Sequence, residues 1–192
     1  VCSSDLFDGD GDRAIFVDEV GHPRDGDAVL LAAARHLRVR GKLREGTVVV
    51  TVMSNLGLLR ALEALGFRTE VTAVGDKNVW QGMKKSGAAL GGEPSGHVIF
   101  RDFLPTGDGL LTALQVAALL VETGHPFSSL TSLAVHYPQV LLNVPVRERC
   151  PLDKIPRFNK TLAEVNASLG ETGRTLVRYS GTEPLLRIMV EG

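Results

Sequence analysis

The sequence predicts an α/β layer with helices on both faces, followed by a smaller α+β unit. Three observations carry that prediction. Strand-like and helix-like segments alternate through residues 25–134, the order that builds a covered sheet. Residues 47–52 and 69–74 are β-branched runs that read as apolar on both faces, as strands buried on both sides do. After Tyr137-Pro138 the texture changes to a long strand-like run and a polar, proline-bearing connection, which places a boundary near residues 136–146.

The elements follow in order. Residues 1–6 are polar and make a poor strand, so they are set aside as a truncation edge or a cloning scar, and the chain is expected to begin inside a domain. Ala14-Ile15-Phe16-Val17 is a short β-prone run, and Val20-Gly21-His22-Pro23 is a turn. Asp25-Gly26-Asp27 offers capping acids to a helix that Gly41 ends. Ser54 or Asn55 caps the next helix, closed by Gly66, and residues 76–85 read as a third. Residues 88–90 lead into a glycine turn, with a strand at 97–100. Asp108 caps a helix running to Gly124, whose stretch 110–121 has only Thr112 and Gln115 as polar residues and reads as buried. Residues 126–134 predict a short helix. In the last part, residues 139–146 form a strand and 158–169 a helix stopped by Gly170; 175–178 and 185–190 are strands around a tight loop, the last of them clipped at Gly192.

Composition bounds the function. The 192 residues, 44% hydrophobic, suffice for one large domain or two small ones. A net charge of −1, with no basic run interleaved with aromatics, argues against nucleic acid as a partner. The two cysteines, Cys2 and Cys150, form no CxxC pair, which excludes a cysteine metal cage and fits a reducing, cytoplasmic setting. The stretch 110–121 falls short of the roughly 20 residues a membrane span needs.

The densest chemistry is Phe7-Asp8-Gly9-Asp10-Gly11-Asp12-Arg13. Three carboxylates this close repel one another, and a divalent cation held between them offsets the repulsion. The bland alternative is a solvated acidic turn. Asp8, Asp10 and Asp12, with Ile15 and Glu19, also imitate a calcium loop, but the sixth place is Arg13 where that loop needs glycine, and no helices flank it. A strand–loop–strand setting favours Mg²⁺. A second loop, Gly91-Gly92-Glu93-Pro94-Ser95-Gly96-His97, carries hydroxyl-binding groups in Glu93 and Ser95 and a proton-carrying group in His97; an ordinary glycine turn with a structural histidine is the alternative. A third, Arg178-Tyr179-Ser180-Gly181-Thr182-Glu183-Pro184, combines an amide nest around Gly181 with Arg178, and Arg187 follows on the next strand. The alternative there is a plain hairpin turn with solvated arginines.

Taken together with MSNLGL (53–58), VGDK (74–77) and TGDGLLTALQ (106–115), these loops resemble the α-D-phosphohexomutase superfamily from Phe7 to Gly192, and its bacterial glucosamine-phosphate branch in particular. The resemblance implies a mixed-sheet phosphohexomutase α/β domain followed by a smaller α+β C-terminal domain. Residues 1–22 would end the second domain of that family, 23–137 form the third and 138–192 a truncated last domain. It implies interconversion of glucosamine 6-phosphate and glucosamine 1-phosphate by Mg²⁺-dependent phosphoryl transfer through a bisphosphate. The mannose/glucose branch and a non-catalytic phosphosugar-binding module are the alternatives. By the resemblance, Asp8, Asp10 and Asp12 hold Mg²⁺, and Arg13 and His97 serve the transfer. Lys77, Glu93, Ser95 and His97 face the sugar, and Arg178, Ser180, Gly181, Thr182 and Arg187 bind its non-reacting phosphate. Lys77 and Pro94 stand where the family more often has arginine and glutamine. The family's phosphoserine loop has no counterpart here, so these residues alone are expected not to turn over. A homodimer is among the assemblies the resemblance allows; a membrane is not.

Overall fold

A computed structural model of the protein describes residues 4–181 and 183–192. The chain divides into two compact units between His136 and Tyr137.

The first unit opens with an antiparallel three-stranded sheet, β1 (Ser4–Phe7), β2 (Ala14–Val17) and β3 (Pro23–Arg24), in that spatial order. The hexapeptide set aside above thus contributes a strand. Its polar composition hid it, because antiparallel pairing with Ala14–Val17 supplies the backbone partners that its side chains do not announce.

A second, four-stranded sheet has the order β5 (Arg68–Thr72), β4 (Thr47–Thr51), β6 (Leu90–Gly92), β7 (Val98–Phe100). β4 runs parallel to both neighbours and β7 is antiparallel to β6, so the sheet is mixed. β4 is buried at every residue, as its unbroken apolar run requires. β5, expected to be of the same kind, is instead an edge strand that is largely exposed, and its sequence Arg-Thr-Glu-Val-Thr fits an edge.

The helices cap as their sequences dictate. Asp25 accepts from the Ala28 amide at the start of α1 (Gly26–Val39), Asn55 from Gly57 at α2 (Leu56–Ala64), and Asp108 from Leu111 at α4 (Gly109–Thr123). α3 (Asp76–Ser86) and α4 end on left-handed Gly87 and Gly124. α4 is not buried all round: Leu110, Leu114 and Val121 are 64%, 59% and 83% exposed, while Ala113, Val116 and Leu119 enter the core with Leu111 and Leu120 packed against it. The helix expected over 126–134 shrinks to one turn, α5 (Phe127–Leu130), whose Phe127 meets Phe16 edge-on at 5.9 Å in the core. Among the described residues, no helix is long and apolar enough to cross a membrane.

One buried acid anchors the first sheet. Asp18 accepts from the amides of Val20 (3.0 Å) and His22 (2.9 Å) and pairs with Arg24 at 2.7 Å. Burial raises the pKa of its carboxyl; the bonds from the His22 amide, the Arg24 guanidinium and the Val20 amide more than offset that and hold it below the ordinary value. A carboxyl with a depressed native pKa stabilises the fold fully above its unfolded pKa, and the contribution disappears as pH falls through the native value. Asp18→Asn therefore lowers the thermal midpoint at pH 7 and flattens its decline below about pH 4. Equal midpoint–pH curves for variant and parent would contradict this.

The second unit is a three-stranded antiparallel sheet of order β8 (Gln139–Pro145), β10 (Leu185–Glu191), β9 (Arg174–Tyr179), with α6 (Pro156–Leu169) packed along β9. A partly buried ion pair, Arg174 to Glu191 at 2.6 Å, joins its two hairpin strands.

Candidate functional site

The acid run forms the loop between β1 and β2. Its backbone turns through left-handed Gly11, whose amide donates to the Asp8 carbonyl (3.2 Å). The side chains of Asp8, Asp10 and Asp12 converge, each offering an oxygen within 4.8 Å of the others. Arg13 Nε lies 3.4 Å from both Asp8 and Asp12. Desolvation raises the pKa of the Asp12 carboxyl, and the negative charges of Asp10 and Asp8 push it the same way, against the pull of His97 and Arg13. Three hard oxygen donors in mutual repulsion are the donor set a cation such as Mg²⁺ takes. The calcium-loop alternative loses its closing ligand, because Glu19 bonds the hydroxyl and amide of Ser128.

Three other loops close around the acid loop. The Ala14 amide donates to Gly96 O (3.1 Å), which stitches the loop's exit to the glycine-rich loop between β6 and β7. The Gly109 amide, first in α4, donates to Gly11 O (2.8 Å), and a side chain there would come within 2.6 Å of Arg13 O. His97 is 3% exposed, with Nε2 3.8 Å from Asp12 and 3.7 Å from Asp76, and its Nδ1 has no hydrogen-bond partner among the described residues. Gly107 lies flat against its ring. Glu93 accepts from the Gly75 amide (2.7 Å) and from Ser95 Oγ (3.4 Å), so one carboxylate spans VGDK and the glycine-rich loop. Thr106 donates to Asp76 (3.2 Å). Lys77, beside Asp76, is exposed. The structure thus brings Asp8, Asp10, Asp12, Arg13, Glu93, Ser95 and His97 into one neighbourhood, and adds Asp76 and Thr106, which the sequence reading named only within motifs.

The third loop lies in the second unit. β9 and β10 place Arg178 directly opposite Arg187. Like charges across a strand pair are destabilising, and an anion shared between them removes the penalty. Arg187 is held by Glu183 (2.8 Å). Ser180 is 2% exposed, and its Oγ accepts from the Glu183 amide (3.3 Å). Thr182, named in the sequence reading, lies outside the described residues. Arg149 was missed: its guanidinium donates to the carbonyls of Ser180 (2.7 Å), Glu183 (3.2 Å) and Gly181 (3.5 Å). No local signal marks it, since the surrounding run reads as a polar connection.

Comparison with known proteins matches residues 25–137 to the phosphoglucomutase/phosphomannomutase alpha/beta/alpha domain III and residues 141–192 to the C-terminal domain of the same family. The chain is 54% identical over 186 residues to phosphoglucosamine mutase of Solibacter usitatus and 50% identical over 186 residues to that of Chlamydia caviae, covering 97% of this chain in each case. It spans 42% and 41% of those relatives' lengths. Among solved structures it resembles Aspergillus fumigatus N-acetylphosphoglucosamine mutase in complex with GlcNAc-6P and magnesium, with a TM-score of 0.79 at 22% identity over 98% of this chain and 48% of the other.

Proposed function

The chain belongs to the phosphoglucomutase/phosphomannomutase family, and from that premise we propose that it is part of a phosphoglucosamine mutase, an isomerase of glucosamine 6-phosphate and glucosamine 1-phosphate. The observation that carries the reading is about 50% identity, over 97% of the chain, to proteins of that name. The reaction belongs to the whole protein; these residues supply three of its parts. In this reading residues 1–22 close one α/β domain and carry the metal loop, 23–137 form the next and carry the sugar loop, and 138–192 belong to the C-terminal domain. A cytoplasmic location suits this chemistry.

Asp8, Asp10 and Asp12 are the residues that would hold Mg²⁺, and their mutual repulsion is the physical argument for a cation there. Bound Mg²⁺ supplies positive charge for the phosphoryl oxygens as negative charge shifts between them. Arg13, fixed by Asp8 and Asp12, presents a second positive charge beside that position. Glu93 and Ser95 bind sugar hydroxyls, the Glu93 carboxylate held by the Gly75 amide and the loop backbone by the Gly26 amide on Pro94 O. His97, buried against Asp12 and Asp76, accepts or returns a proton at the reacting oxygen through Nε2. Lys77 contributes charge at the rim. Arg178, Arg187, Ser180, Gly181 and Thr182 take the phosphate that does not react, which fixes the sugar's position for the end that does.

Titration calorimetry of the chain with glucosamine 6-phosphate tests the cradle. Arg178→Ala raises the dissociation constant by about tenfold or more, the equivalent of one charge-assisted hydrogen bond. No binding heat with glucosamine, glucose or mannose 6-phosphate, together with no effect of the substitution, would refute the reading.

A further inference from the structure

The loop 178–184 needs its amides turned outward if it is to receive an anion, and something must hold its carbonyls the other way. Arg149 meets that need. Its terminal nitrogen donates to three carbonyls of the loop, those of Ser180, Gly181 and Glu183. A peptide group is planar and trans, so its carbonyl and its N–H point to opposite sides. With the Ser180 carbonyl drawn to Arg149, the Gly181 N–H is directed away from it, to the opposite side of the loop. Two further bonds fix the segment that carries Arg149. The Tyr179 hydroxyl donates to Cys150 O (2.7 Å), and the Val146 amide donates to Pro184 O (2.9 Å). The loop itself is closed from within by the Ser180 amide on Leu185 O (2.8 Å). All three bonds come from one terminal nitrogen, so the side chain gathers the carbonyls at a single point.

We propose that Arg149 is a positioning residue for phosphate binding: it touches no ligand, but by gathering the carbonyls of Ser180, Gly181 and Glu183 it presents the Gly181 amide to the anion. This rests on the reading of residues 178–187 as a phosphate cradle. It also assigns a function to the connection between β8 and α6, which the sequence marks only as polar.

The test uses the ¹⁵N-labelled chain with inorganic phosphate as probe, in the parent and in Arg149→Ala, Arg149→Lys and Arg178→Ala. Arg149→Ala is expected to raise the phosphate dissociation constant about tenfold, and to shift the Gly181 amide resonance and speed its exchange before any phosphate is added. Arg149→Lys keeps the charge and a terminal nitrogen that can donate to the same carbonyls, and recovers part of both. Arg178→Ala weakens binding as much but leaves the phosphate-free Gly181 amide unmoved. If Arg149→Ala binds as the parent does while Arg178→Ala does not, the proposal is wrong and the cradle reading stands. If neither substitution changes binding, the cradle reading itself fails. Weakened binding with an unmoved Gly181 amide, or binding recovered by lysine while the Gly181 amide stays displaced, makes Arg149 a direct charge contact and overturns the positioning role. Arg149→Gln is read by the same two measurements, and replaces the alanine variant if that one loses the β8–β10 sheet resonances.

Discussion

Asp10→Ala, made in the gene's whole reading frame, lowers isomerase turnover by on the order of 10³-fold, the several kcal/mol that a bound metal ion contributes to phosphoryl transfer. The same substitution leaves the fold intact. Asp10 is exposed on a loop and packs against nothing in the core, and exposed loop side chains contribute little to stability. The sign of the small residual effect is itself diagnostic. The Asp10 charge raises the pKa of the Asp12 carboxyl, so in the absence of metal its removal relieves repulsion and the thermal midpoint holds or rises slightly. With excess Mg²⁺ the parent gains stability by mass action and the variant does not. Turnover and Mg²⁺ dependence equal to the parent's would remove the acid run from the mechanism.

Gly26→Ala has a large structural effect at the candidate site. Gly26 begins α1, and its amide donates to the Pro94 carbonyl at 3.1 Å. A methyl group there would overlap the Glu93 carbonyl oxygen and lie 2.9 Å from the Gly96 nitrogen. Both obstacles are backbone, so neither yields by a rotamer change. Overpacking of this kind costs about 3 kcal/mol, on the order of 10 °C in the midpoint for a chain of this size. The displaced residues carry Glu93 and Ser95, so sugar-phosphate affinity falls with stability. Gly9→Ala is the control: a side chain there meets nothing within 4 Å, and both properties stay near the parent's. A Gly26→Ala protein as stable as the Gly9→Ala protein would show that the sugar loop does not rest on α1.

What the sequence reveals of this molecule follows the range of the interactions involved. Asp25, Asn55 and Asp108 are legible as caps because a cap is set by residues two or three positions away. β4 is legible because burial on both faces leaves an unbroken apolar run. β5 is misread because Val71 and its β-branched neighbours fit an edge strand as well as a central one, and only the neighbours in the sheet decide. α4 is misread because Leu110, Leu114 and Val121 are apolar yet exposed, and an exposed leucine carries no signal of its own. The candidate site divides the same way. Asp8, Asp10 and Asp12 announce themselves by a density of charge that a core cannot use. Asp76 approaches His97, and Thr106 approaches Asp76, only through the fold. Arg149 reaches carbonyls more than thirty positions away in sequence, and nothing in Arg-Glu-Arg-Cys foretells it.

The central claim is that this chain belongs to an enzyme that isomerises glucosamine phosphates. The most direct measurement is the turnover of the gene's whole reading frame, phosphorylated and supplied with Mg²⁺, on glucosamine 6-phosphate alongside glucose and mannose 6-phosphates. The expected result is glucosamine 1-phosphate formed well ahead of the other two products. Failure to isomerise glucosamine 6-phosphate, or a clear preference for one of the neutral sugars, would contradict it.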